Sequence, residues 1–304
     1  MAVSVDQRDS MSLPTRRQDT GRPLASYLGT ALRYLLLVLV GLLLFAPFIL
    51  AFFGTFKSNA EITAFPPKIL PTEWHPENWS NAWNVEIQGA GENIFARWFF
   101  NSAWLALLNM ATQLFFCSLA AYAFARMRFP GKDLIFAFMI ASMAIPGAVT
   151  LIPGFVFYSK LGWVNTYWPL IVPSLVVPFG IFFLTQFFKS VPKELEEAAF
   201  MDGAGRFRIY WNVVLPLAKA ALITLAILQF QASWNNFVGP LLFLRQPTLM
   251  TLTVGLGYFQ SLYKIEWASI LVGSMFNAIP ILVIFFIFNK YYMQSGSMTG
   301  LAGQ

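Results

Sequence analysis

Six apolar runs, at roughly 34–56, 98–125, 134–158, 166–188, 214–238 and 267–289, leave this chain few ways to fold. Each is long enough to cross about 30 Å of hydrocarbon as a helix rising about 1.5 Å per residue. A bilayer offers no water to backbone N–H and C=O groups, so a span must be a helix or part of a closed barrel. The alternation that a barrel strand needs is absent. Within the runs the one ionisable side chain is Lys219, near the start of the fifth, where it can snorkel to the interface. The expected fold is therefore all-α and polytopic, with six transmembrane helices. Composition agrees: 57% of residues are hydrophobic and only 11% charged, too little polar surface for a soluble domain.

Basic residues orient the chain. With the N-terminus inside, the inner segments hold Arg8, Arg16, Arg17, Arg22 and Arg33, then Arg126, Arg128 and Lys132, then five from Lys189 to Lys219, and Lys290. That is 14 of the 20 Lys and Arg residues, which predicts both termini in the cytoplasm. The net positive charge is thereby explained without nucleic acid. Residues 1–33 read as a polar N-terminal tail, 34–293 as the transmembrane domain and 294–304 as a C-terminal tail. The late, long first run does not fit a cleavable signal peptide. Cys117 lies inside an apolar run and reads as a small hydrophobe; no metal-binding cluster accompanies it. His75, the single histidine, sits in a polar loop with no nucleophile or ligand set around it.

The longest polar interval between later runs, 189–216, contains Val191-Pro192-Lys193-Glu194-Leu195-Glu196-Glu197-Ala198-Ala199-Phe200-Met201-Asp202-Gly203-Ala204. Pro192 suits the first turn of a helix, and Glu194, Glu196 and Glu197 set negative charge at its positive end. Leu195, Ala198 and Ala199 are spaced to share a face that another backbone could approach closely. Gly203 permits a left-handed stop. Physically, this is a helix of about three turns at the membrane surface, either an interfacial link or a docking element.

Glu197-Ala198-Ala199, followed by Asp202-Gly203-Ala204 and by Leu215-Pro216, resembles the EAA loop of permease subunits from binding-protein-dependent ABC importers. Asn101-Ser102, Ala120 to Arg126, Phe129-Pro130-Gly131-Lys132, Leu161-Gly162, Trp234-Asn235-Asn236-Phe237 and Pro240-Leu241 extend the resemblance over about 30–293. They place it nearest the second permease of maltose-type, carbohydrate importers. Thr185 and Ala220 depart from that pattern, which often has arginine and proline there. The resemblance implies a cytoplasmic coupling helix, with Glu197, Ala198, Ala199, Asp202, Gly203 and Ala204 docking into an ABC ATPase. It also implies three partners: a homologous permease, an ATPase dimer and an extracytoplasmic solute-binding protein. ATP and magnesium would be bound by the ATPase, because this chain has no GxxxxGK[ST] loop. The subunit would be non-catalytic and carry no cofactor of its own. The segment 239–266, with Gly255 and Gly257 giving it room to bend, would correspond to a loop that reaches the binding protein. The equally open reading is a segment lying on the bilayer.

Amides suit a neutral polyol because each offers donors and acceptors. Gln229, Gln231, Asn235 and Asn236 are therefore the candidate solute path, with Asn101, Asn109, Gln113 and Asn277 as further intramembrane polar groups. The alternative for each is an interhelical hydrogen bond. Trp74, Trp79 and Trp83, in the long loop after the first run, fit either headgroup anchoring or docking. Prolines 146, 153, 173, 178 and 280 lie within runs and can kink them. Two rival functions keep a place. An importer of another solute, such as a phosphorylated polyol or a peptide, would share the architecture. A secondary transporter would need intramembrane Asp, Glu or Arg for ion coupling, which these runs lack. No paired acids or nucleophile–base pair supports a membrane enzyme.

Overall fold

The computed structural model describes the backbone at residues 24–86, 91–260 and 265–300 and side chains at 29–86, 91–260 and 265–288. The chain divides into two units, one through Leu50 and one from Ala51 onward. The first is the body of helix α1 (Leu24–Gly54). It starts at Leu24 rather than 34, and the expected polar tail otherwise falls outside the described residues. Its apolar side chains point outward all round, Leu43 being 74% exposed. A helix apolar on every side needs lipid or another chain around it.

The second unit opens with two short helices, α2 (Asn59–Ile62) and α3 (Glu77–Trp83). Trp79 and Trp83 are packing residues here, not free anchors: Trp83 sits edge-on to Phe95 and against Phe276, and Trp79 Nε1 donates to Thr55 Oγ1 at 3.1 Å. Only Trp74 of the three stays largely exposed. The central element is α4 (Ile94–Arg126), 33 residues without glycine or proline, about 50 Å of helix.

The third apolar run is not one straight span. α5 (Lys132–Ser142) and α6 (Gly147–Lys160) meet at 100°. Pro146, which has no N–H to donate, caps α6 with extended backbone (ψ 133°), and the helix cannot pass through it. The fourth run is α7 (Trp168–Ile171), a 3-10 turn at 172–174, and α8 (Pro178–Ser190). Val177 takes the extended conformation that a following proline imposes.

Next come α9 (Lys193–Met201), α10 (Arg206–Ile209), a π-helical turn over Tyr210–Val214 and α11 (Leu215–Leu217). The line from Arg206 to Leu217 then turns by 79° into α12 (Lys219–Trp234). The fifth span therefore begins at 219, not 214, because Pro216 removes a donor just before the bend at Ala218. α13 (Val238–Phe243), α14 (Leu252–Gly255) and α15 (Trp267–Gly300) complete the chain. Among the described residues four helical stretches are long and apolar enough to cross a membrane, and six if each sharply bent pair counts as one. Among the described residues there is no strand, only an isolated bridge between Gln260 and Ile265.

α4 packs against α8 and α12 and threads two cores. Near its start Phe95, Trp98 and Leu105 join Trp234, Leu244 and Leu252; near its end Cys117 and Ala121 join Leu184, Phe188, Tyr210 and Leu225. Lipid tails are as apolar as leucine, so these cores are held by close packing and by hydrogen bonds between helices. A polar layer separates them. Asn109 donates to Leu170 O (3.2 Å) and Ser233 Oγ (3.0 Å) and accepts from Ser174 Oγ (2.8 Å), joining four elements.

Candidate functional site

The 191–204 loop is built as a capped amphipathic helix. Pro192 stands at the N-cap rather than inside the first turn, so α9 begins at Lys193 and has two and a half turns. Glu194 and Glu196 lie in the first turn, where the backbone N–H groups are unpaired and the dipole favours negative charge. At the other end Gly203 adopts φ +79°. Its N–H reaches Phe200 O and that of Ala204 reaches Ala199 O, each at 3.0 Å. This pair of bonds is a Schellman stop, and it satisfies two carbonyls that would otherwise be orphaned.

The expected small-residue face is split. Ala199 and Ala204 pack onto the lower core, whereas Ala198, Glu197, Asp202 and Gly203 face outward. The outward surface also carries Phe200 (66% exposed) and Met201 (85%), and beyond the stop Phe207 and Trp211 stack at 6.3 Å. The sequence reading passed over these large apolar groups. Two adjacent apolar residues at the end of a polar helix were the available signal. An open pocket of about 480 Å³ runs between Tyr122, Arg126, Glu197, Phe200 and Met201.

One ion pair also went unread. Arg126 Nε lies 2.5 Å from Glu196 Oε1, in a contact that lacks hydrogen-bond geometry, with side-chain exposures of 7% and 14%. Arg126 Nη2 also donates to Val191 O at 2.5 Å. The last residue of α4 thereby holds both the entry and the first turn of α9. Nothing in the spacing of 126 and 196 announces the pairing.

The four amides of the candidate path do not converge as a set. Gln229 and Gln231 are two apart, about 200° around a helix, so they project to opposite sides of α12. Asn235 and Asn236 lie past the helix end: Asn235 is its C-cap, and Asn236 Oδ1 accepts from Gly239 N at 3.2 Å. Gln231 and Asn235 keep a four-residue spacing and remain the pair that can act together. Of the other amides, Asn101 Nδ2 donates to Thr248 O and Met250 O; the backbone carbonyl of Asn277 accepts from Trp234 Nε1, while its buried side-chain Oδ1 has no partner among the described residues. Gln113 is 2% exposed, pressed against Gly180, and its Oε1 has no partner among the described residues.

The 239–259 segment is packed rather than free. Leu252 is fully buried, and a Cβ at Gly255 would stand 2.2 Å from the Trp98 ring. Gly255 thus admits an indole and provides no bend, which overturns the expectation for it. A Cβ at Gly257 would meet nothing within 4 Å, so that position is open.

Apolar helices, two pairs of them sharply bent, together with a capped amphipathic helix, fit a membrane transport subunit. Residues 113–297 match the family described as binding-protein-dependent transport system inner membrane component. The chain is 31% identical over 279 residues to the probable ABC transporter permease protein YurM of Bacillus subtilis, covering 90% of each. It is 34% identical to the arabinooligosaccharide transport system permease AraQ of Halalkalibacterium halodurans, over 69% of this chain and 75% of that one. With the trehalose/maltose transport system permease MalG of Thermococcus litoralis it shares 35% identity, over 67% and 74%. In fold it is similar to a chain of a bacterial ABC transporter that imports the acidic polysaccharide alginate. There the TM-score is 0.76 at 22% identity, covering 88% of this chain and 98% of that one. The chain belongs to the binding-protein-dependent transport permease family.

Proposed function

We propose that this chain is a non-catalytic transmembrane subunit of an ABC importer for a sugar or oligosaccharide. It works beside a homologous permease, an ATPase dimer that binds the ATP and magnesium, and an extracytoplasmic solute-binding protein. The observation that carries the reading is α9 with its Schellman stop. It is a rigid helix that presents Glu197, Ala198, Phe200, Met201 and Asp202 outward, next to a pocket. An exposed apolar patch of this kind is a surface awaiting a partner. The EAA-type sequence on it supports the ATPase as that partner, and the distribution of basic residues supports a cytoplasmic position, where ATP is. A saccharide is supported by the names of several relatives and by the lack of charged side chains in the central portions of the runs. A phosphorylated solute would favour a cation in the path.

The test uses the assembled transporter. The saccharide is first found by thermal-shift screening of the cognate solute-binding protein against mono- and oligosaccharides, and its uptake is then followed in proteoliposomes. Gly203→Val removes the residue suited to φ +79° and should abolish uptake while leaving membrane insertion intact. Normal uptake by that variant in a complex retaining its ATPase would overturn the coupling role of this loop.

A further inference from the structure

α4 grips a different loop at each of its ends. At the α9 end, Ser118, Tyr122 and Arg126 recur every fourth residue and so share one helix face. Ser118 Oγ and Tyr210 OH are hydrogen-bonded at 2.7 Å, and Tyr122 OH points to Arg206 O at 3.5 Å. Arg126 holds Val191 O and Glu196. This face therefore touches the 191–210 stretch where it begins and where it ends.

At the opposite end Trp98, Asn101 and Ser102, spaced by three and four, do the same to another segment. Trp98 Nε1 donates to Pro247 O at 2.7 Å, and Asn101 Nδ2 to Thr248 O and Met250 O at 3.0 and 2.9 Å. Ser102 Oγ accepts from Leu252 N at 2.8 Å. Most of these contacts are to backbone groups, so each grip follows the position of its loop rather than the loop's side chains.

Between the grips the helix has no built-in hinge. Sharp kinks need proline, glycine or an inserted group. Among the described residues α4 is the only helix longer than 20 residues that contains neither Gly nor Pro. The neighbouring runs break at Pro146, before Pro178 and after Pro216. A stiff rod held at both ends, among elements that bend, passes displacement from one end to the other.

We propose that α4 is a strut linking the α9 loop to the 247–252 segment, with Arg126, Tyr122 and Ser118 as one grip and Trp98, Asn101 and Ser102 as the other. These are positioning residues that touch no solute. The proposal rests on the coupling role assigned to α9 above, and the experiment separates the two.

A single reporter cysteine at Gly257, which is exposed and where an added Cβ would meet nothing within 4 Å, is introduced into the full transporter in nanodiscs. Cys117 is buried and stays as it is. Maleimide labelling is timed with and without magnesium, ATP and vanadate. The otherwise native transporter should change its labelling rate on trapping. Glu196→Gln at one grip, and separately Asn101→Leu at the other, should shrink that change by roughly fivefold while ATPase co-purification persists. A full nucleotide-dependent change in either variant overturns the strut, as does a native complex in which Gly257 never responds. If Glu196→Gln loses the response only together with the ATPase, the pair merely builds the docking loop and the proposal fails. Failure of the otherwise native chain to retain any ATPase would instead defeat the coupling reading itself.

Discussion

Gly255 offers a sharp test of the packing between α4 and the segment that ends in α14. A methyl group added there would lie 2.2 Å from Trp98 Cδ2 and 2.3 Å from Cε3. The obstacle is a rigid, fully buried indole whose N–H is committed to Pro247 O. It cannot swing aside without giving up that bond. Overpacking a well-filled core costs about 1–3 kcal/mol, and a lost hydrogen bond adds about 1 kcal/mol. Gly255→Ala is therefore expected to destabilise the chain by about 2–4 kcal/mol. Gly257 is the control, since its added methyl meets nothing within 4 Å. Gly257→Ala should be neutral or stabilising by up to about 1 kcal/mol, through the unfolded chain's reduced freedom. Thermal unfolding of the purified full chain in detergent would compare both variants with Trp98→Phe and with the Gly255→Ala, Trp98→Phe double variant. The smaller ring should return part of the loss, with a coupling of about 1 kcal/mol or more between the two sites. If Gly255→Ala melts with Gly257→Ala, or the double variant is simply additive, this segment does not pack on α4 as described.

Four further outcomes are expected. Gly203→Asn should retain more uptake than Gly203→Val, because asparagine tolerates positive φ and the site is sterically open; equal losses would show that backbone conformation is not what matters there. Asn109→Leu should cost about 1–3 kcal/mol of thermal stability, since it strips three buried hydrogen bonds from the layer between the two cores. The Glu61 carboxylate is held below its usual pKa first by the backbone N–H of Thr72, which outweighs an opposing effect of burial, and then by the Thr72 hydroxyl and by Lys57 and Lys68. A depressed carboxylate stabilises its loop at neutral pH and loses that contribution as pH falls through the folded pKa. Limited proteolysis within 57–75 should accordingly rise on the acid side in the native chain and be indifferent to pH in Glu61→Gln. Finally, a cysteine at Ser10 should resist an impermeant reagent in intact cells, and labelling there would reverse the orientation argued from the basic residues.

The sequence was most informative where one physical requirement admits one answer. An uncharged apolar run in lipid must be helical, and a Pro192 to Gly203 interval with acids at its front must start and stop a helix. Both elements form as helices, with α9 shifted by about a residue and the first span beginning about ten residues early. It was less informative about shape. Pro146 and Pro216 were visible as interruptions, yet a proline sets only a missing bond and a clash. The angle that follows, 100° in one case and 79° in the other, depends on what each half packs against. Gly255 and Gly257 look alike in the sequence and differ completely in surroundings, because the Trp98 that fills the first site lies far away in the chain.

The amides show the same limit in chemical form. An Asn or Gln in a membrane helix needs partners, and the sequence does not say whether a neighbouring helix or a solute supplies them. Asn101, Asn109 and Asn236 find theirs within the protein. Helical arithmetic then separates Gln229 from Gln231, which leaves Gln231 with Asn235 as the pair of path candidates with one-turn spacing. If that pair lines the solute path, Gln231→Leu should raise KM for the sugar while leaving ATPase co-purification and thermal stability unchanged, since no intramolecular bond is lost. A fall in stability with KM unaltered would instead assign Gln231 to the same structural work as Asn109. The membrane interior of this subunit would then hold its polar groups for helix packing, and recognition of the solute would fall to the partner permease.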